Sequence, residues 1–172
     1  MLITPPVNPD YGFYNGYVTK APDTDLITAL KENWTSFRAF VHTLSEEELL
    51  HRYAAGKWSI KEVLVHLIDA ERSFCYRIMR ISRADQAQLP GYSVDDFISN
   101  SFAEQRDTAN IMQELEMLRK STIAIFEGMH PEMLDRTGPA RDVIISPRAL
   151  GFAIVGHVIH HTDIIRDRYL PK

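Results

Sequence analysis

Along four long stretches of this chain, apolar residues recur at intervals of three and four, and nowhere is there sustained alternation at intervals of two. That rhythm lays one apolar stripe along a helix, and a striped helix has to bury its stripe against a neighbour. In the first stretch, about residues 23–43, the stripe is Leu26, Leu30, Trp34, Phe37 and Val41. The second runs from Ser59 to about Ser82 and carries Val63, Leu67, Phe74 and Ile78. The third opens at Ser101, carries Ile111, Leu115, Leu118, Thr122 and Ile125, and ends near Gly128 and Pro131. The fourth extends from Ser146 to about Tyr169, with Pro171 beyond its end. Start signals support these bounds: Ser59 with Glu62 and Ser101 with Glu104 read as capping boxes, and Ser146-Pro147 places a cap before a first-turn proline. Four such helices in one small domain predict an all-α fold, a four-helix bundle.

The remaining segments read as connections. Ser45 with Glu48 boxes a short helix, and SVDDFISN (93–100), after the LPGY connector, predicts another. Residues 131–146 form a long connection with room for a small helical turn; within it DVIIS makes at most a brief strand that cannot organise a sheet. Residues 1–22 hold Pro5, Pro6, Pro9 and Pro22 together with the aromatic run YGFYNGY. Proline removes donors and disfavours helix, so this is read as an extended arm, packed on the body through its aromatics. Covering a pocket mouth or a dimer surface is the alternative role. The expected division is an arm over 1–22 and a single helical-bundle domain over 23–172.

A net charge of -4 gives no basic face for nucleic acid, and no apolar run approaches a membrane span of about 20 residues. MLITPPVNPD lacks the basic and apolar regions of a secretory signal, so a cytoplasmic protein is expected. Cys75 is the only cysteine, which excludes an intramolecular disulfide and a multi-cysteine zinc site.

Against this background three histidines stand out. His66 sits mid-way along the second stretch among Val63, Leu64, Val65 and Leu67; His157 and His161 sit four apart on the fourth, among Ile154, Val158, Ile164 and Ile165. Residues four apart share a helix face, so two imidazoles can converge there and a third can join from a facing helix. An imidazole buried in apolar surroundings costs free energy unless its nitrogens find partners. Spacing alone leaves two answers open, a shared metal ion or separate hydrogen bonds in the core. Three neutral nitrogens would suit zinc, nickel, copper or iron. His160 competes for the site, but at about 100° per residue it points away from His161, so the four-residue pair is favoured. His42, His51 and His130 fall at helix ends or in polar contexts and read as surface residues.

Other groups have competing explanations of the same kind. Asp69 could accept a hydrogen bond from the His66 ring, although a pair with Arg72 is favoured. Glu62 and Glu71 are conceivable general bases, Glu62 being better explained by its capping box. Asp163 is expected to pair with Arg166, Trp58 to pin the start of its helix, and Cys75 to serve as a small buried residue. No Gly-rich phosphate loop occurs, and Val158 occupies the place where a His-Glu-x-x-His protease carries its base.

The segment KWSIKEVLVHLIDAERSFCYRI resembles the second-helix signature of the DinB/YfiT-like superfamily, LPGYSVDDFI is similar to a connector in one branch of it, and GHVIHHTDIIRDRYL resembles its C-terminal helix. The resemblance spans the chain from about Asp23 onward. It implies a four-helix bundle, often dimeric, in bacteria, with a divalent metal (zinc or nickel foremost) held by His66, His157 and His161; Asp69 and His160, from their spacing alone, are the candidates to stand beside these ligands. It also implies a metal-dependent enzyme acting on a small molecule, either a thiol-dependent S-transferase with a low-molecular-weight thiol as cosubstrate or a hydrolase. A non-catalytic metal-binding or protein-interaction bundle is the alternative. Some relatives read His-His-Arg-Gly-Gln on the last helix; here Thr162 and Asp163 follow His161, so no particular substrate transfers.

Overall fold

The computed structural model describes residues 1–7, 11–88 and 90–170; Pro9, Leu89 and Pro171, invoked above, lie outside them. Among the described residues the chain forms a 3-10 turn (Gly12–Tyr14), α1 (Asn15–Val18), α2 (Leu26–Val41), α3 (Glu46–Leu50), α4 (Ile60–Ser82) and α5 (Val94–Ser99). A second 3-10 turn (Ala103–Gln105), α6 (Thr108–Glu127), α7 (Pro131–Leu134), a hairpin of β1 (Gly138–Ala140) and β2 (Val143–Ile145), and α8 (Pro147–Ile164) follow, the last continuing as a π-helical turn over Ile165–Tyr169. The long helices α2, α4, α6 and α8 form the bundle that the apolar stripes predict.

Helix starts obey their caps. Ser45 and Ser59 form complete capping boxes with Glu48 and Glu62, and Ser146 caps α8 ahead of Pro147. The third long helix corrects its expected start. Ser101 and Glu104 do not open it; Phe102 turns left-handed (φ 52°), Arg106 is extended, and Asp107 takes over as cap by accepting from Ala109 N–H at 2.7 Å. Glu104 instead pairs with Arg52 at 2.8 Å. The strand expected in DVIIS does form, paired antiparallel with Gly138–Ala140 into a two-stranded hairpin.

The N-terminal arm is not extended throughout, since residues 12–18 coil into the first 3-10 turn and α1. Two anchors hold it. Asp25, the cap of α2, accepts from Ile3 N–H at 2.8 Å, and Lys20 reaches Asp163 on α8 at 2.8 Å. Asp163 therefore pairs with the arm and not with Arg166, whose guanidinium lies over the Phe40 ring at 4.7 Å. The backbone of α1 lies directly on α8 because residue 156 is glycine: a Cβ there would meet the Tyr17 carbonyl oxygen at 1.8 Å.

Each long helix packs against two others. α2 and α4 both border α6 and α8, so α2 lies across a diagonal from α4, and α6 from α8. The first and second long helices are thus not neighbours, nor are the third and fourth, and the long connections over 42–59 and 128–146 carry the chain across, whereas α4 and α6 pack side by side. The core divides into two apolar clusters. One gathers Leu26, Phe74, Ile78 and Phe126 with the first half of α8; the other gathers Phe37, Leu64, Ile68, Leu115 and Val158.

Polar groups are buried in the same interior. Glu71 and Arg119 form a two-pronged ion pair, Nε to Oε1 at 3.0 Å and Nη2 to Oε2 at 2.9 Å, at 3% and 1% exposure. The remaining capacity is filled: Arg119 Nη1 donates to Leu30 O and Asn33 Oδ1, and the Thr122 hydroxyl donates to Glu71 Oε1 at 2.6 Å. Glu71, a conceivable general base by sequence, is a structural tie between α2, α4 and α6. Removing one partner leaves a buried charge alone, so Glu71→Leu or Arg119→Met should each lower unfolding free energy by about 3–5 kcal/mol. The double variant should lose clearly less than the sum of the singles in urea unfolding; additive losses would refute the pairing.

Candidate metal centre

Seven residues into α4, about two turns past the Ser59 cap, His66 turns inward; from the facing α8, His157 and His161 project one turn apart. The rings meet at their Nε2 atoms. His66 Nε2 lies 3.2 Å from His157 Nε2, His157 Nε2 lies 3.1 Å from His161 Nε2, and all three ligand atoms fall within 4.8 Å of one another. Two nitrogens bound at about 2.0–2.1 Å to one tetrahedral ion sit about 3.3 Å apart, so the spacing fits a common cation.

Burial lowers the pKa of every ring, and the other histidines lower it further. His66 falls to about 4 and His161 to about 3, while His157, the most deeply enclosed, also lies well below its usual value. The rings are therefore neutral at pH 7. A neutral ring nitrogen carries either one hydrogen or one lone pair. His157 Nε2 thus cannot complete good hydrogen bonds to both neighbours at once, whereas a cation accepts all three lone pairs. The donor set fits a divalent ion of the imidazole-binding kind.

Aromatic rings pack around the trio. The Tyr17 ring of α1 lies 4.8 Å from that of His157, and Trp58 lies 5.0 Å from His66. Trp58 thus does more than precede the Ser59 cap. His160 is turned away as the helical angle requires, half-buried with its ring 5.4 Å from Tyr17. His42, His51 and His130 are exposed. Asp69 is half-buried and makes no hydrogen bond to His66, whose Nδ1 is buried without a partner. Nor does Asp69 form the expected ion pair with Arg72, which is drawn to Glu114 at 2.7 Å. Burial pushes the Cys75 thiol up to about 11, and its sulfur contacts Thr122 Oγ1 at 3.2 Å, as befits an inert core residue. Glu62 is engaged by its cap and by Arg52 at 2.6 Å.

A cavity of about 420 Å³ opens onto His66 and His157. The arm, α4, the connector before α5 and the hairpin turn all contribute to its walls, with Tyr14, Tyr17, Phe74, Arg77 and Tyr92 among the lining residues. The arm takes both roles that its sequence allows, packing on the body and walling the cavity. Arg77 is not among the candidates of the sequence analysis, although Val63, Ala70 and Arg77 recur at intervals of seven and place a charge on the inward face of α4.

The sequence profile of the DinB superfamily matches residues 29–165, most of the chain. The chain belongs to the DinB superfamily. No curated protein sequence matches it significantly. Among solved structures it is similar to YfiT from Bacillus subtilis, described as a probable metal-dependent hydrolase with an unusual four-helix bundle topology. The match has a TM-score of 0.71 at 19% identity, over 92% of this chain and 91% of that one, and establishes the shared fold. The diagonal placement of α2 from α4 and of α6 from α8 is the form this family member gives to the bundle.

The buried rings carry a pH signature in metal-free protein. The unfolded chain takes up protons near pH 6.5 that folded His66 and His161 refuse until about pH 4 and 3. Stability is therefore complete above about pH 6.5 and falls as the pH drops through that window. Chelator-treated protein should melt progressively lower from pH 7.5 to 5, and His66→Phe should flatten that slope. A slope unchanged by the substitution would contradict the assignment.

Proposed function

We propose that this DinB-superfamily chain is a metal-dependent enzyme acting on a small molecule, with His66, His157 and His161 holding one divalent ion, zinc or nickel. The observation that carries the reading is the convergence of three neutral Nε2 atoms beside a cavity large enough for a substrate. When bound, the ion supplies Lewis acidity, lowering the pKa of a thiol or water brought to the open side of the three nitrogens.

The surrounding residues narrow the chemistry. Cys75 is no nucleophile, being held protonated and committed to Thr122, and it is not among the residues that line the cavity. Among the described lining residues the one carboxylate is Asp142, which is exposed. With no enclosed carboxylate among the described lining residues to act as base, an incoming group that ionises readily is the favoured nucleophile. A thiol near 8.5 needs a much smaller shift than water near 15.7, so thiol transfer from a low-molecular-weight cosubstrate is the favoured reaction. Tyr17 and Trp58 shield the rings from bulk water and fix their orientation. Hydrolysis is the second reading, supported by the description of YfiT. The same proposal takes the protein to be a cytoplasmic bacterial homodimer. No helix among the described residues is long and apolar enough to cross a membrane.

Protein reconstituted with zinc or nickel should retain about one ion per chain by elemental analysis, and His66→Ala and His161→Ala should retain essentially none. Loaded protein should consume a small thiol in the presence of an alkylating electrophile, and the variants should not. Failure of the wild-type chain to hold either ion would overturn the metal reading. Ester cleavage without thiol consumption would move the assignment to hydrolysis.

A further inference from the structure

Three side-chain atoms among the described residues are buried without a hydrogen-bond partner: Tyr14 OH, His66 Nδ1 and Arg77 Nε. All three residues line the cavity beside the histidines, at 0%, 8% and 6% exposure respectively. An unsatisfied buried polar atom costs about 1–3 kcal/mol, so their concentration in one cavity marks a place that a polar ligand completes.

Arg77 is the informative member. Its Nη1 donates to Ser73 Oγ at 2.6 Å, which turns the side chain back along α4 toward His66, and among the described residues no carboxylate pairs with it. The Nε edge is left as a donor with a fixed positive charge, the edge that grips a carboxylate. Asp142 is exposed beside Arg141, whose own guanidinium lies over the Phe13 ring at 4.5 Å. The Tyr14 hydroxyl adds a second donor, and Phe74, Tyr17 and Tyr92 supply apolar wall.

We infer that this cavity is a carboxylate subsite: it takes a small organic monoanion whose carboxylate is gripped by Arg77 and Tyr14 while its reactive end faces the three histidines. The proposal rests on the metal-centre reading for the identity of that reactive end, but not for the grip itself. His66 and Ser73 are seven residues apart on one face of α4, about 10 Å along the axis, which sets the span between carboxylate and reacting group. One arginine with a single free edge fits a monoanionic carboxylate better than a dianionic phosphate.

The test compares 4-phenylbutyrate with its neutral amide, 4-phenylbutyramide, by calorimetry on the full chain. Wild type, chelator-treated wild type and His161→Ala should each bind the carboxylate at least about tenfold more tightly than the amide. Arg77→Gln should bring the ratio close to one. The Arg77 Nε–H resonance of wild type should shift with the carboxylate and not with the amide, which decides the matter even if the variant is unstable. Equal binding of acid and amide, or a preference that survives Arg77→Gln, would overturn the subsite. A preference lost on chelation and in His161→Ala would place the carboxylate on the metal, overturning the subsite while leaving the centre intact. A preference kept in protein that binds no metal would uphold the subsite even as the metal reading fell.

Discussion

No distribution of protons over His66, His157 and His161 satisfies three Nε2 atoms that converge on one another inside an apolar bundle. Much of the architecture is arranged around that constraint. The interior holds a second polar group of comparable burial, the Glu71–Arg119 pair, and the contrast is instructive. There every strong donor and acceptor finds a partner on α2, α4 or α6, so the group closes on itself and ties the helices together. The histidine cluster stays open and faces a cavity, which is how a binding site differs from a structural tie made in the same interior.

The arm and the glycine at 156 belong to the same design. With α1 lying on α8, the ring of Tyr17 reaches His157, and Tyr14 and Tyr17 become walls of the cavity. Any side chain at 156 would push the Tyr17 backbone away and open the site to solvent. Lys20 to Asp163 and Asp25 to Ile3 hold the arm in place from either end. The segment is part of the site's wall and not an appendage to a finished bundle.

Much of this was legible in the sequence because helices advertise themselves locally. The apolar stripes of α2, α4, α6 and α8, the boxes at Ser45 and Ser59 and the Ser146-Pro147 start are all short-range signals. His157 and His161 were legible for the same reason, their spacing of four being a helix-face signal, and His66 by its apolar surroundings on another striped helix. Where two local signals competed, reading failed: Ser101 and Glu104 resemble a cap, yet Asp107 wins once Phe102 turns left-handed and Arg52 claims Glu104. Pairings across helices were also hidden. Arg72 and Asp163 each had a partner one turn away in sequence but found Glu114 and Lys20 from other elements. The cavity itself, with Arg77 and Tyr14, is a product of topology, since nothing in the linear pattern brings the arm and the hairpin to the inward face of α4.

X-ray absorption at the metal edge of the reconstituted protein tests the central claim most directly. The account predicts a first shell containing three nitrogens at about 2.0–2.1 Å with the outer scattering of imidazole rings. A first shell of oxygen alone, without imidazole scattering, would contradict it.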